Sequence, residues 1–366
     1  LLTLRRHVFR ITAFAKTFWS NHRAWVWGGG LVCVCAAYLA FEALYIHRHP
    51  LIMDEFQGFE HVRRLLHKVP YRDYSPYKMV LGYYVQLVPS LFTDSPWFRL
   101  LFIKWFLAGL TAVSLLAASF MLSRVYHPAA VLLALAIMCV TSNFLQQSAD
   151  LRVDMLTSVC GLFSLVCLVH HKPVLCGLFA GLAFLVSQKG IYFVAAGSLG
   201  WASTLWLETR NRSAWRNVLL FHGLVAGLVG TYVLGWTAVS SYDVVKNSIF
   251  GTGVQRLALA ELYKPDWIRV FWVQSWTRNP LFYLLSVFAL GRTFSVRDIK
   301  SNSCRSMKLC VYGTTILVLS LWHKQPWPYF FVTLISTLFV LIADLLNGEI
   351  ERRGRLTWPL LAALLI

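Results

Sequence analysis

The feature that most constrains this chain is a succession of long, nearly uncharged apolar runs. They lie near 26–46, 98–122, 129–146, 153–171, 173–188, 190–207, 218–240, 279–295, 309–322, 327–346 and 357–366. Lipid offers a backbone no hydrogen-bond partner, so a spanning helix needs roughly 20 mostly apolar residues. Most of the runs meet that length, while 173–188 and 309–322 are short enough to be tilted or half-buried. The runs are continuous and lack period-two alternation, which excludes an outer-membrane barrel. Hydrophobic residues make up 57% and charged residues 14% of the chain, against roughly 25% charged in soluble proteins. A cytosolic enzyme, a disordered regulator and a secreted disulfide domain are thereby excluded. The expectation is an all-α polytopic membrane protein with about 11 transmembrane helices and structured external loops. The last run stops at Leu364-Leu365-Ile366 and the chain opens on Leu1, which suggests a C-terminal end cut from a longer protein.

The net charge of +18 would suggest nucleic acid in a soluble protein; here it reports sidedness, and no nucleic-acid partner is expected. A basic arm over 1–25 (Arg5, Arg6, Arg10, Lys16, Arg23) precedes the membrane region 26–366. The first run is no cleavable signal, since it follows that arm and many more runs succeed it. With the arm inside, the inner segments gain Arg124, Lys172, Arg210, Arg212, Arg216, Arg292, Arg297, Lys300, Arg305, Lys308, Arg352, Arg353 and Arg355. The short outer loops keep only Arg152, Lys189 and Lys324. Basic residues favour the cytoplasmic side, so the N-terminus is expected inside. Two outer loops are long, 47–97 and 241–278, and hold eight of the sixteen acids. Structured loops on one face point to chemistry on that face. The eight cysteines fall in runs or inner loops without zinc-finger spacing, so they read as small buried side chains.

The first long loop opens with Asp54-Glu55. Phe56, Phe59, Val62 and Leu66 then recur at three- and four-residue steps, predicting an interfacial amphipathic helix with Asp54, Gln57, His61, Arg64 and Lys68 on its other face. Asp54 suits an N-cap with Gln57 at the third helical position. A cap needs one acid, however, and two at a membrane face are costly to desolvate. Asp54 is therefore a candidate functional carboxylate, with Glu55 beside it.

The loop continues Lys68-Val69-Pro70-Tyr71-Arg72-Asp73-Tyr74-Ser75-Pro76-Tyr77-Lys78 before Met79-Val80-Leu81-Gly82-Tyr83-Tyr84-Val85. This order resembles the first external loop of GT-C glycosyltransferases, most closely those similar to protein O-mannosyltransferases and lipid A aminoarabinose transferases. Lys68-Val69-Pro70-Tyr71 stands where those families carry a Gly-x-x-Pro-Tyr-like turn, and Tyr77-Lys78-Met79-Val80 where they carry Lys-Pro-Pro-Leu. Two further similarities are Asp150-Leu151-Arg152-Val153-Asp154-Met155-Leu156 and His323-Lys324-Gln325-Pro326-Trp327-Pro328-Tyr329.

The resemblance implies a polyprenyl-phosphate-sugar donor and an acceptor hydroxyl on a glycan, lipid or protein, used at the outer face of a bacterial inner membrane. A hydroxyl is a weak nucleophile and needs a base, for which Asp54 stands at the matching position, with Glu55 second. The departing lipid phosphate gains charge and needs cations: Arg72, Lys78 and Lys324 first, then Arg152 and Arg256. Tyr71, Tyr77, Asp154 and His323 are the candidate substrate contacts. Each has a plainer reading: Lys78 can snorkel, Arg152 and Asp154 can pair at a helix start, and the tyrosines can form an interfacial belt.

Neither a Gly-x-x-x-x-Gly-Lys-Ser/Thr run nor an Asp-x-Asp triplet occurs, which argues against ATP-driven transport and a metal-bound nucleotide sugar. The external histidines lack metal-ligand spacing with a carboxylate, so neither a cofactor nor an essential metal is expected. The competing class is a transporter or flippase of lipid-linked sugars. Such proteins place charges at mid-membrane on broken helices, whereas Glu42, Lys104 and Asp344 are the few intramembrane charges here and no repeat is visible.

Overall fold

The computed structural model describes residues 26–48, 53–76, 79–207, 212–251, 265–293, 303–323 and 330–353. It is helical throughout, with a single isolated bridge between Pro70 and Tyr74 among the described residues. The helices are α1 (Val26–Arg48), α2 (Met53–Leu65), α3 (Leu81–Ser90), α4 (Pro96–Leu122), α5 (Pro128–Cys139), α6 (Ser142–Gln147), α7 (Asp154–Val169) and α8 (Pro173–Val186). They continue as α9 (Ile191–Leu207), α10 (Arg212–Val239), α11 (Tyr242–Lys246), α12 (Pro265–Arg278), α13 (Pro280–Thr293), α14 (Ser303–Trp322) and α15 (Phe331–Arg353). Helices α4, α5, α8, α12 and α13 all begin on proline, whose fixed φ suits a first helical position and whose missing N–H is no loss there.

Ten of the expected runs are helical, and 357–366 lies outside the described residues. Among the described residues five helices, α1, α4, α10, α14 and α15, are long and apolar enough to cross a membrane. Others are shorter, and run 129–146 is two helices broken at Val140-Thr141, where Thr141 is extended and starts α6 afresh. The chain is thus a helical membrane protein.

Packing separates centre from rim. In α15, 83% of the most apolar window is buried, against 11% in α10, although the two windows share a mean hydropathy of 1.9. An apolar helix left so uncovered belongs in lipid. Around α15 stand α5 and α7; α7 also meets α8, α8 meets α10, and α9 meets α14. At one end of the bundle α2 and α3 lie against α4, closing over a small apolar cluster of Val62, Tyr83, Leu100, Ile103, Leu107 and Leu151.

The expected face of α2 is rotated. Phe56 is exposed, while Glu55, Gly58, His61 and Val62 turn inward. Gly58 explains the rotation: a Cβ there would collide with the carbonyl oxygen of Leu151, so the helix approaches the 148–153 segment along its glycine. A buried carboxylate displaced a phenylalanine because it finds a partner inside, as shown next.

Candidate active site

Asp54 and Glu55 occupy the first turn of α2, where the positive end of the helix dipole favours acids. Asp54 is therefore inside the helix rather than its cap. The two side chains diverge. Glu55 is fully buried, its Oε1 2.7 Å from Lys104 Nζ of α4 and accepting the Leu151 N–H at 3.2 Å. Asp54 stays 45% exposed and its Oδ2 meets Nη1 of Arg152.

Arg152 joins three elements. Its Nε donates to Asp154 Oδ2 at the start of α7 (3.0 Å), and its carbonyl accepts from Gln86 Nε2 of α3 (3.2 Å). Asp154 also takes Lys189 Nζ on its Oδ1 at 2.6 Å. Lys189 sits in a short turn between α8 and α9 that Gly190 makes possible, since a Cβ there would strike the backbone of Ala183 and Phe184. The result is an alternating chain of charge, Asp54–Arg152–Asp154–Lys189, half open at one end and buried along its middle. Burial lowers the Lys189 ammonium pKa, and Asp154 opposes that shift. Asp150, in the same segment, is pushed up to about 7 by burial first and by the Glu55 charge second.

His323 reaches this region through aromatic contacts. Its Nδ1 is 2.7 Å from the Tyr192 hydroxyl, its ring stacks on Phe330 at 4.1 Å, and Lys189 Nζ lies 5.8 Å from the same Phe330 ring. Tyr71 has φ +64° and is enclosed: its hydroxyl is 2.7 Å from that of Tyr232, its ring lies against Trp236, and its carbonyl accepts from Ser240. It fastens the 69–76 loop to α10. Arg72 is turned to Asp73 (2.8 Å) on the exposed side of that loop. That guanidinium, with the Val69 N–H, holds the Asp73 carboxyl down at about 2. Tyr77, Lys78, Arg256 and Lys324 lie outside the described residues.

The structure therefore brings Asp54, Arg152 and Asp154 together, joins His323 at the margin, and adds Lys189 and Lys104. The sequence held a signal for Lys189: with Arg152 and Lys324 it is one of the few cations in a short outer loop. Among the described residues no group of three or more His, Cys, Asp or Glu side chains is disposed to hold a metal ion. Asp54 and Asp154 both direct an oxygen at Arg152, so a cation already lies between these two carboxylates.

No protein-family model matches the sequence, and no curated protein matches it. Solved structures do match the fold. ArnT from Cupriavidus metallidurans, bound to undecaprenyl phosphate, superposes with a TM-score of 0.63 at 15% identity over 90% of this chain and 61% of that one. The oligosaccharyltransferase AglB from Archaeoglobus fulgidus, with an inhibitory peptide and a dolichol-phosphate, gives 0.55 at 13% identity over 94% of this chain and 54% of that one. An Archaeoglobus fulgidus oligosaccharyltransferase in complex with Zn and sulfate gives 0.52 at 12% identity, over 88% and 50%. The chain spans about half to three fifths of the length of these proteins. All are GT-C superfamily members, so the resemblance read from the first loop holds at the level of the fold.

Proposed function

We propose that this chain is a membrane glycosyltransferase that moves a sugar from a polyprenyl-phosphate donor to an acceptor hydroxyl. The reaction would take place at the outer face of a bacterial inner membrane. The observation that carries the reading is the Asp54–Arg152–Asp154–Lys189 chain, in which a half-exposed carboxylate adjoins cations at one end of the bundle. Support at the level of fold comes from neighbours crystallised with polyprenyl phosphates.

In this mechanism Asp54 takes the acceptor's proton as the hydroxyl oxygen attacks the anomeric carbon. The bond from that carbon to the phosphate oxygen breaks, and the lipid phosphate leaves with the electron pair. Arg152 links the two events. Once Asp54 is protonated it holds the guanidinium less strongly, just as the leaving phosphate gains charge. That makes the cation's stabilisation greater in the transition state than in the ground state. Lys189 supplies a second positive charge along the chain, and Asp154 keeps both cations in place. Lys78, Lys324 and Arg256 are the further phosphate contacts in this reading, with Tyr77 and His323 at the sugar. Tyr71 fastens the 69–76 loop to α10.

The test is Asp54→Asn. Asn preserves size and keeps an oxygen that Arg152 can donate to, Asp154 still pairs the guanidinium, and the lost charge–dipole interaction is worth only about 0.3–1 kcal/mol. The melting temperature should barely change, while turnover with a polyprenyl-phosphate sugar falls by roughly two to four orders of magnitude. Mass spectrometry of the co-purifying lipid names the donor. A carrier of lipid-linked sugars would hold the same lipid yet lose nothing chemical in Asp54→Asn, so transfer at the parent rate would overturn the assignment.

A further inference from the structure

Two of the few charges inside apolar runs, Glu42 and Lys104, are drawn to the same place. Lys104 is 2% exposed and lies eight residues into α4, with its ammonium 2.7 Å from Glu55 Oε1. Glu42 of α1 is fully buried and accepts from Ser148 Oγ at 2.8 Å. The 148–153 segment is therefore held at three points: Ser148 by Glu42, the Leu151 N–H by Glu55, and the Arg152 carbonyl by Gln86. Asp150, also buried, completes the charged groups around Lys104.

A buried ion pair is a poor source of stability, because desolvation consumes most of the attraction and an apolar pair of the same size often does as well. A lysine inside an apolar run is costlier still. Its retention needs another reason, and geometry supplies one. Glu55 follows Asp54 directly, so Lys104 pins from the buried side the same helical turn whose exposed side meets Arg152. Glu55 in turn holds the backbone N–H next to Arg152.

We propose that Lys104 is a positioning residue: through Glu55 it fixes the first turn of α2 against the 148–153 segment and so sets the separation of Asp54 and Arg152. This rests on the reading of Asp54 as the base. It assigns Glu55 a place behind the reacting groups rather than among them.

The experiment removes both charges at once, so that no buried carboxylate is stranded. Lys104→Met with Glu55→Gln keeps an acceptor for the Leu151 N–H and should melt close to the parent. Displacement of reacting groups by about an ångström costs on the order of a hundredfold, so kcat should fall ten- to a hundredfold with little change in donor KM. A merely structural role, which lowers only the amount of folded enzyme, would leave kcat per folded molecule in place. Parent kcat at an unchanged donor KM overturns the proposal. If the paired variant fails to insert, Lys104→Gln, which can still donate to Glu55 but carries no charge, is read on the same two quantities with the same consequences. Asp54→Asn is run alongside. Full transfer by it removes the base reading and this proposal together, whereas an inactive Asp54→Asn beside an unaffected paired variant removes the positioning role alone.

Discussion

Single residues carry information here according to whether they break a rule. Asp54 and Arg152 stand out in the sequence because acids at a membrane interface and cations in short outer loops are both uncommon, and the structure sets them in contact. The plain expectation that Arg152 and Asp154 pair at a helix start is also met, at 3.0 Å. The structural pair and the candidate site are the same atoms. Lys189 breaks the same rule as Arg152, but its partner is 35 residues away and cannot be seen by spacing. Glu55 and Lys104 are hidden for the same reason, being brought together only when α2 folds back on α4. Lys189→Met tests the residue that the fold adds. Asp154 keeps Arg152, so the melting temperature should hold. On the proposed mechanism, loss of one cation near the leaving phosphate should lower turnover by roughly a hundredfold. Parent turnover in the variant would take Lys189 out of the phosphate site.

At the scale of elements, periodicity predicted that α2 exists and missed which way it faces. The pattern of Phe56, Phe59 and Val62 is helical, yet hydropathy cannot foresee that Glu55 will find a buried cation and that Gly58 will admit a carbonyl oxygen. The 148–153 segment poses the same problem. It is an irregular run of bends between α6 and α7, and its buried polar groups are satisfied by helices distant in sequence. Asp150 gives it a measurable signature. Its folded pKa, raised from the ordinary carboxylate range to about 7 by burial and by Glu55, means that the folded state binds the proton more tightly than the unfolded one. Stability must then fall as pH rises from about 4 to about 7, and level off above that. Asp150→Asn has no proton to lose. Its melting temperature relative to the parent should climb across this window and stay flat beyond it, checked by thermal scans at several pH values in one detergent. A difference independent of pH would mean that Asp150 ionises in the fold as freely as in the unfolded chain.

For the molecule as a whole, the expected alternation of inner and outer segments needs only the positions of apolar runs and basic residues. Among the described residues, several contacts join segments of like assignment. Segments assigned to the outer side touch one another: Asp54 meets Arg152, Asp154 meets Lys189, Gln188 donates to Ser248 and Ile249, and Tyr71 meets Ser240. Segments assigned to the inner side do likewise, with the His127 N–H on Asn347, Lys308 on His171, and His170 on the Met121 carbonyl. We propose that the candidate site lies on the outer side, where the positive-inside rule places the segments poor in basic residues. Cysteine-labelling tests the absolute direction. Ser75, exposed on the 69–76 loop, and Ser213, at the start of α10, belong to opposite ends. In intact cells Ser75→Cys should react with an impermeant maleimide above the background of the native cysteines. Ser213→Cys should react only after the membrane is opened. The reverse pattern would put Asp54 in the cytoplasm, where nucleotide sugars rather than translocated lipid-linked ones are at hand, and the proposed donor would have to be abandoned with the orientation.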